Sequence, residues 1–272
     1  MRDDIILETR DLRKNFGGLT AVNDVSLQVR ANSFHSIIGP NGAGKTTLFN
    51  LVSGTLAPTS GRIFYKGRDI TRLPVYRTAH LGMGRSFQIT NIFPNLTVLE
   101  NIRLAAQALG KDNFRFTRSV DSFDNYIERA WTVAERVGLL SRALSPAREL
   151  AHGDQRKLEL GMLLAPDPDV LLLDEPTAGM ATEQVPDLIA LIEEIRAEGG
   201  KTVMMVEHNM NVVMSVSDTV TVMHYGSVLA EGSPAAIAAN ETVQQAYLGS
   251  LYGEKMGTGA NIVGPNVKTT NR

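Results

Sequence analysis

The chain has 272 residues, of which 43% are hydrophobic, carries a formal net charge of −2 and contains no cysteine. That length buries a full α/β core as one domain with a subdomain; the charge argues against a surface coated for nucleic acid, and the missing cysteine excludes disulfides and thiolate metal sites. Met1-Arg2-Asp3-Asp4 leads into a strand-like run without an apolar leader, and no uncharged apolar run reaches the roughly 18 residues that span a bilayer, so any membrane connection is expected through a partner.

Ile5 to Leu7 and Val22 to Val29 alternate as strands, joined by the turn-rich Asn15-Phe16-Gly17-Gly18. Phe34-His35-Ser36-Ile37-Ile38 reads as a buried strand and Thr46 to Val52 as the first turns of a helix. Between them lie Gly39, Pro40, Asn41, Gly42, Ala43, Gly44, Lys45, Thr46 and Thr47. A strand, a glycine turn and a helix N-terminus together form a phosphate cradle. Gly42 and Gly44 let the backbone curl so that successive N–H groups point inward. Lys45 supplies charge for the outer phosphates, and the Thr46 hydroxyl suits Mg²⁺. The sequence therefore predicts a nucleoside triphosphate site.

Arg62 to Tyr65 is a further strand, and Arg85-Ser86-Phe87-Gln88 closes another. At its end, the Gln88 amide could touch both a metal and a water, and its backbone could hinge the subdomain. From about Thr97 to Ala165 the spacing is helical, broken at Lys111-Asp112-Asn113 and at Ser145-Pro146. This stretch is expected to be a helical insertion into a parallel sheet, about 89–165. Phe87 to Pro94 exposes apolar side chains at a turn, either as a groove for a helix of a membrane subunit or as internal packing. Two aromatics and two arginines in Phe114 to Arg118 fall short of a nucleic-acid platform.

Val170 to Leu173 is a continuous apolar run that delivers Asp174 and Glu175 at its C-terminal end, where ligands bind in open α/β sheets. Asp174 is the candidate metal ligand. Glu175 is the candidate general base for an attacking water, which favours hydrolysis over transfer to a second substrate. Leu188 to Glu198 reads as a helix closed by Gly199-Gly200, followed by a strand at Val203 to Val206 and then Glu207-His208. His208 is placed to reach a terminal phosphate. Val220 to Met223 and Ser227 to Ala230 form a hairpin at Tyr225-Gly226, and residues 253–272 read as a flexible tail.

The order GPNGAGKTT, Gln88, Leu150-Ala151-His152-Gly153-Asp154-Gln155, LLLDEP and Glu207-His208 resembles the ATP-binding cassette (ABC) ATPases over about Ile6 to Leu251. The fold implied is a P-loop NTPase cassette, residues 1–252, with a mainly parallel core sheet, N-terminal antiparallel strands and the helical insertion. Gly82 to Gln88, Phe93 to Ile102 and the Ala178-Gly179-Met180 turn resemble ATPases of branched-chain amino-acid importers, with urea and short-chain amide importers nearly as similar. The resemblance implies ATP and Mg²⁺ as ligands and hydrolysis as the activity. Each ATP would lie between the phosphate loop of one cassette and Ala151, His152, Gly153 and Asp154 of another, with the N–H groups of a helix starting at Gly153 facing the γ-phosphate. Phe16 would stack on adenine, or else be a core aromatic.

The implied partners are integral membrane permease subunits, a second ATP-binding subunit (a copy of this chain or a related one) and, indirectly, a periplasmic or extracellular substrate-binding protein. The implied location is the cytoplasmic face of the inner membrane. A soluble ABC ATPase and a non-hydrolysing nucleotide sensor are the weaker readings. The signature departs from Leu-Ser-Gly-Gly-Gln: Ala151 replaces serine, His152 the first glycine and Asp154 the glutamine. The missing hydroxyl removes a hydrogen bond to charge, which costs about 1–3 kcal/mol. Ala181 stands where many members of that family carry aspartate.

Overall fold

The computed structural model describes residues 4–86, 92–108, 110 and 124–246. Gln88, most of the Phe87 to Pro94 segment, Phe114 to Arg118 and the expected tail 253–272 lie outside them.

Strands β1 (Ile5–Phe16) and β2 (Leu19–Arg30) pair antiparallel along their length, with β4 (Ser60–Tyr65) and β5 (Arg68–Asp69) completing a sheet of order β2-β1-β4-β5. The first strand is thus far longer than Ile5 to Leu7. Its Asp11 and its partner's Asp24 sit at positive φ within irregular register, and such bulges hide the period-2 signal from a sequence reading.

The second sheet has the order β10-β9-β3-β8-β7-β6. Its parallel members are β3 (Phe34–Ile38), β6 (Met83–Arg85), β7 (Val170–Asp174), β8 (Thr202–Val206) and β9 (Thr219–His224), and β10 (Ser227–Gly232) pairs antiparallel at the edge. Every residue of β3, β7 and β8 is buried. On β7, Leu171 and Leu173 join one apolar cluster while Val170 and Leu172 join another. A strand covered on both faces reads as an unbroken apolar run, as this one does.

On one side, α1 (Lys45–Val52) packs Leu48, Phe49 and Val52 among residues of the antiparallel sheet. On the other lie α3 (Val98–Ala108), α4 (Asp124–Arg136), α5 (His152–Leu164) and α6 (Val185–Gly199), numbered after α2 (Val75–His80). Ile102, Val133, Val137 and Leu158 fill the centre of the α3–α4–α5 block. Asn101, fully buried on α3, donates to the Phe93 and Thr97 carbonyls at 3.1 and 2.8 Å and accepts the Phe93 N–H at 2.7 Å. This staples the entering loop to the helix. Of the apolar residues assigned to an exposed turn, Phe93 is exposed and Ile92 packs against the helical core. Past β8, α7 (Met210–Val216) is capped by Asn209, and α8 (Pro234–Ala238) comes after β10.

Candidate functional site

The phosphate loop begins where β3 ends. Gly39 and Gly44 both have positive φ, and a Cβ on either would lie 2.3 Å from a backbone carbonyl, that of Met223 or Ala21 respectively. Only glycine fits at both places. Gly44 is the residue before α1, so the free N–H groups of the first helical turn open onto the loop.

Lys45 is 5% exposed, and its Nζ donates to the carbonyl oxygens of Gly39 at 2.8 Å and Pro40 at 3.0 Å. Burial lowers its pKa, opposed by the charges of Glu175 and Asp174. An ammonium with two carboxylates in its field and, among the described residues, two backbone carbonyls as hydrogen-bond partners is suited to an anion.

An open cavity of about 480 Å³ adjoins the loop, lined by Asn41 to Thr47, Glu175 and His208, together with Phe16, Leu19 and Tyr225. Phe16 is 47% exposed, with the Lys14 ammonium 5.2 Å from its ring centroid, so it is not a core aromatic. Tyr225, 84% exposed, stands at the β9–β10 turn. Gly226 of that turn donates its N–H to the Ala43 carbonyl at 3.0 Å, which ties the turn to the phosphate loop. The sequence reading identified this turn but not its nearness to the loop, because the distance depends on β9 pairing with β3.

Asp174 and Glu175 diverge at the end of β7. Asp174 is buried and meets Arg85 of β6, Nη2 to Oδ2 at 3.3 Å. The same guanidinium donates through Nη1 to Ser53 Oγ at 2.6 Å and Thr55 Oγ1 at 3.0 Å. Burial pulls the Arg85 pKa down and Asp174 pulls it back up. Arg85 was not singled out from the sequence; only the β6–β7 pairing reveals it. Glu175 adopts φ 50°, unusual for a non-glycine residue other than Asn or Asp. Its carboxylate Oε1 lies 2.8 Å from His208 Nε2. The register explains this pairing, since Asp174 is opposite Val206 and the Glu175 N–H donates to the Val206 carbonyl at 2.9 Å.

Ala151, His152, Gly153 and Asp154 lie at the start of α5 and do not line this cavity. The helix begins at His152 with Ala151 as its cap, one residue earlier than expected, and Ala151 provides no side-chain acceptor. Gly153 is buried: a Cβ there would meet the Gln184 side chain at 2.8 Å. Asp154 lies 3.9 Å from Lys157. Thus the loop residues, Glu175 and His208 come together, the α5 residues stand apart, and Gln88 lies outside the described residues.

A glycine loop at the end of a central strand, a buried lysine and a carboxylate–imidazole pair across the neighbouring strand end define a phosphate-loop nucleotide-binding cassette. The ABC transporter family model matches residues 22–178, and a model described as branched-chain amino acid ATP-binding cassette transporter matches residues 227–251. The high-affinity branched-chain amino acid transport ATP-binding protein LivG of Salmonella typhimurium is 41% identical over 249 residues, covering 90% of this chain and 98% of that one. BraF of Pseudomonas aeruginosa, of the same description, is 41% identical over 252 residues with the same coverage. The crystal structure of a nucleotide-free ATP-binding cassette from an ABC transporter superposes with a TM-score of 0.80 at 29% identity, covering 89% of this chain and 98% of that one. The chain belongs to the ABC transporter family, as an ATP-binding cassette with the ATPase activity of that family.

Proposed function

We propose that this chain is the ATP-hydrolysing subunit of an importer for branched-chain and other hydrophobic amino acids. The observation that carries the hydrolytic part is the Glu175–His208 pair, 2.8 Å apart at the mouth of the phosphate-loop cavity. Glu175 takes the proton of an attacking water, and His208 holds the carboxylate's orientation and contacts the terminal phosphate. Lys45 leaves the Gly39 and Pro40 carbonyls for the outer phosphates, and the N–H groups of residues 41–47 surround the inner ones. Phe16 stacks on the base.

Thr46 and Asp174, with Gln88, are the residues that would hold magnesium. A hydroxyl and one carboxylate suit an ion that keeps phosphate oxygens as its main ligands. Thr46 lies in the first turn of α1 and Asp174 is buried at the end of β7. Bound there, magnesium would draw charge from the phosphate oxygens.

The cargo is inferred from the branched-chain amino acid transport proteins of Salmonella and Pseudomonas that this chain resembles and from the match over residues 227–251. No described helix is long and apolar enough to cross a membrane; permease subunits, as implied by relatives that are transport ATP-binding proteins, carry the cargo across. A largely apolar cavity of about 330 Å³ between α2, β6, α3 and α5, with Val75, Met83, Ala105 and Met162 in its wall, receives a permease helix on the cytoplasmic face. A second ATP-binding subunit supplies the other half of each nucleotide site, and a substrate-binding protein delivers the cargo. Residues 1–252 act as one cassette, with about 89–165 as its inserted helical part. Deleting the gene abolishes uptake of labelled leucine and leaves urea uptake intact; loss of urea uptake alone overturns the cargo assignment.

A further inference from the structure

We propose that Glu207, which precedes the cavity histidine, is a positioning residue that fixes the Glu175–His208 pair. This rests on the hydrolytic reading above. Glu207 is 3% exposed and is the first residue beyond β8. Its Oε1 accepts the Thr177 backbone N–H at 3.2 Å and a short bond from the Thr177 hydroxyl. Its Oε2 accepts the N–H groups of His208 at 2.8 Å and Asn209 at 3.1 Å.

All four donors are neutral, and all belong to the two loops that carry Glu175 and His208. One carboxylate therefore sets the separation of two strand-end loops whose catalytic side chains meet at a single contact. That geometry matters because a base displaced by about an ångström loses much of its rate. The arrangement also reaches the helix at the far side of the loop. Arg156 on α5 donates to the Ala178 carbonyl at 3.2 Å, next to Thr177. The segment Glu175 to Ala178 is thus held to His208 at one end and to the signature helix at the other, with Glu207 gripping its middle.

A carboxylate suits this position because it only accepts hydrogen bonds. In Glu207→Gln an amide NH₂ must face either the Thr177 donors or the His208 and Asn209 donors, at nearly unchanged volume. The test uses the full chain assembled with its membrane subunits. The expected result is a tenfold or greater loss of kcat with ATP affinity within about twofold of the unmodified protein. Thr177→Val reproduces the loss, and Thr177→Ser, which keeps the hydroxyl, restores the rate. Adding Glu207→Gln to His208→Ala costs nothing further, because both act through one pair.

Unchanged kcat in Glu207→Gln overturns the proposal, as does a full multiplicative loss in the double variant. Should Glu207→Gln fail to fold, the Thr177→Val and Thr177→Ser contrast decides alone, and equal rates in those two overturn it. An unmodified chain that binds ATP without cleaving it overturns the hydrolytic reading and this one with it. An active chain indifferent to Glu207 overturns only this one.

Discussion

Burial holds the Lys45 ammonium below its ordinary pKa while Glu175 and Asp174 act in the opposite direction, and its present partners are two backbone carbonyls. In the proposed site, phosphate oxygens replace those carbonyls with charge-assisted bonds worth about 1.5–3 kcal/mol each. Lys45→Ala is therefore expected to weaken ATP binding by roughly a hundredfold or more by titration calorimetry. Unchanged affinity would falsify the assignment of Lys45 to the phosphates. His208 poses a different case, because its imidazole bonds Glu175 and stays partly exposed. His208→Ala is expected to lower kcat at nearly constant KM in steady-state kinetics, and a fall confined to ATP affinity contradicts the role given to it.

Among the elements, those with one strong period were readable from the residues: the apolar run of β7, the β9–β10 hairpin at Tyr225-Gly226 and the glycine loop. What was not readable depends on which strands become neighbours. Arg85 reaches Asp174 because β6 pairs with β7, and Tyr225 reaches the phosphate loop because β9 pairs with β3. No local spacing encodes either pairing. The same sheet order buries His35 of β3, whose Nε2 lies 2.8 Å from Thr221 Oγ1, while the Thr221 hydroxyl donates to Glu231. That hydroxyl's one proton is committed, so Nε2 must be the donor. Burial lowers the His35 pKa to about 4. Above about pH 6.5 the imidazole is neutral whether the chain is folded or not. Below it the unfolded chain takes up a proton that the folded one refuses, so stability falls as pH drops toward 4, by about 3 kcal/mol in full. His35→Gln should lessen the fall in Tm between about pH 7.5 and about pH 5; an undiminished fall assigns the acid sensitivity elsewhere. The start of α5 offers a second element-scale test. Ala151 caps it without a side-chain acceptor, so Ala151→Ser should add about 0.5–2 kcal/mol of stability, read as a higher Tm in a thermal melt. An unchanged or lower Tm shows that a serine at this position does not cap the helix.

At the scale of the whole molecule, the division of the site is the controlling fact. The cavity beside the phosphate loop contains Lys45, Glu175 and His208, while Ala151 to Asp154 begin a helix that does not line it. A triphosphate seated in this chain therefore presents an open side, and a second subunit's α5 can close it with N–H groups aimed at negative charge. On the proposed reading, closure is a ligand-dependent equilibrium, favoured with ATP present and released when the γ-phosphate leaves. On the proposed assignment, replacing Glu175 by glutamine removes the base while keeping the shape, so cleavage is expected to stop with binding preserved. With ATP and magnesium, Glu175→Gln should convert the chain into a stable pair, seen as a doubling of mass in light scattering and reversed by removing nucleotide. Pairing of this chain alone identifies a homodimer. Pairing only when a second ATP-binding subunit is mixed in identifies a heterodimer. If neither mixture associates while ATP stays bound, the nucleotide is not shared between subunits, and the energy of hydrolysis must reach the permease by another route.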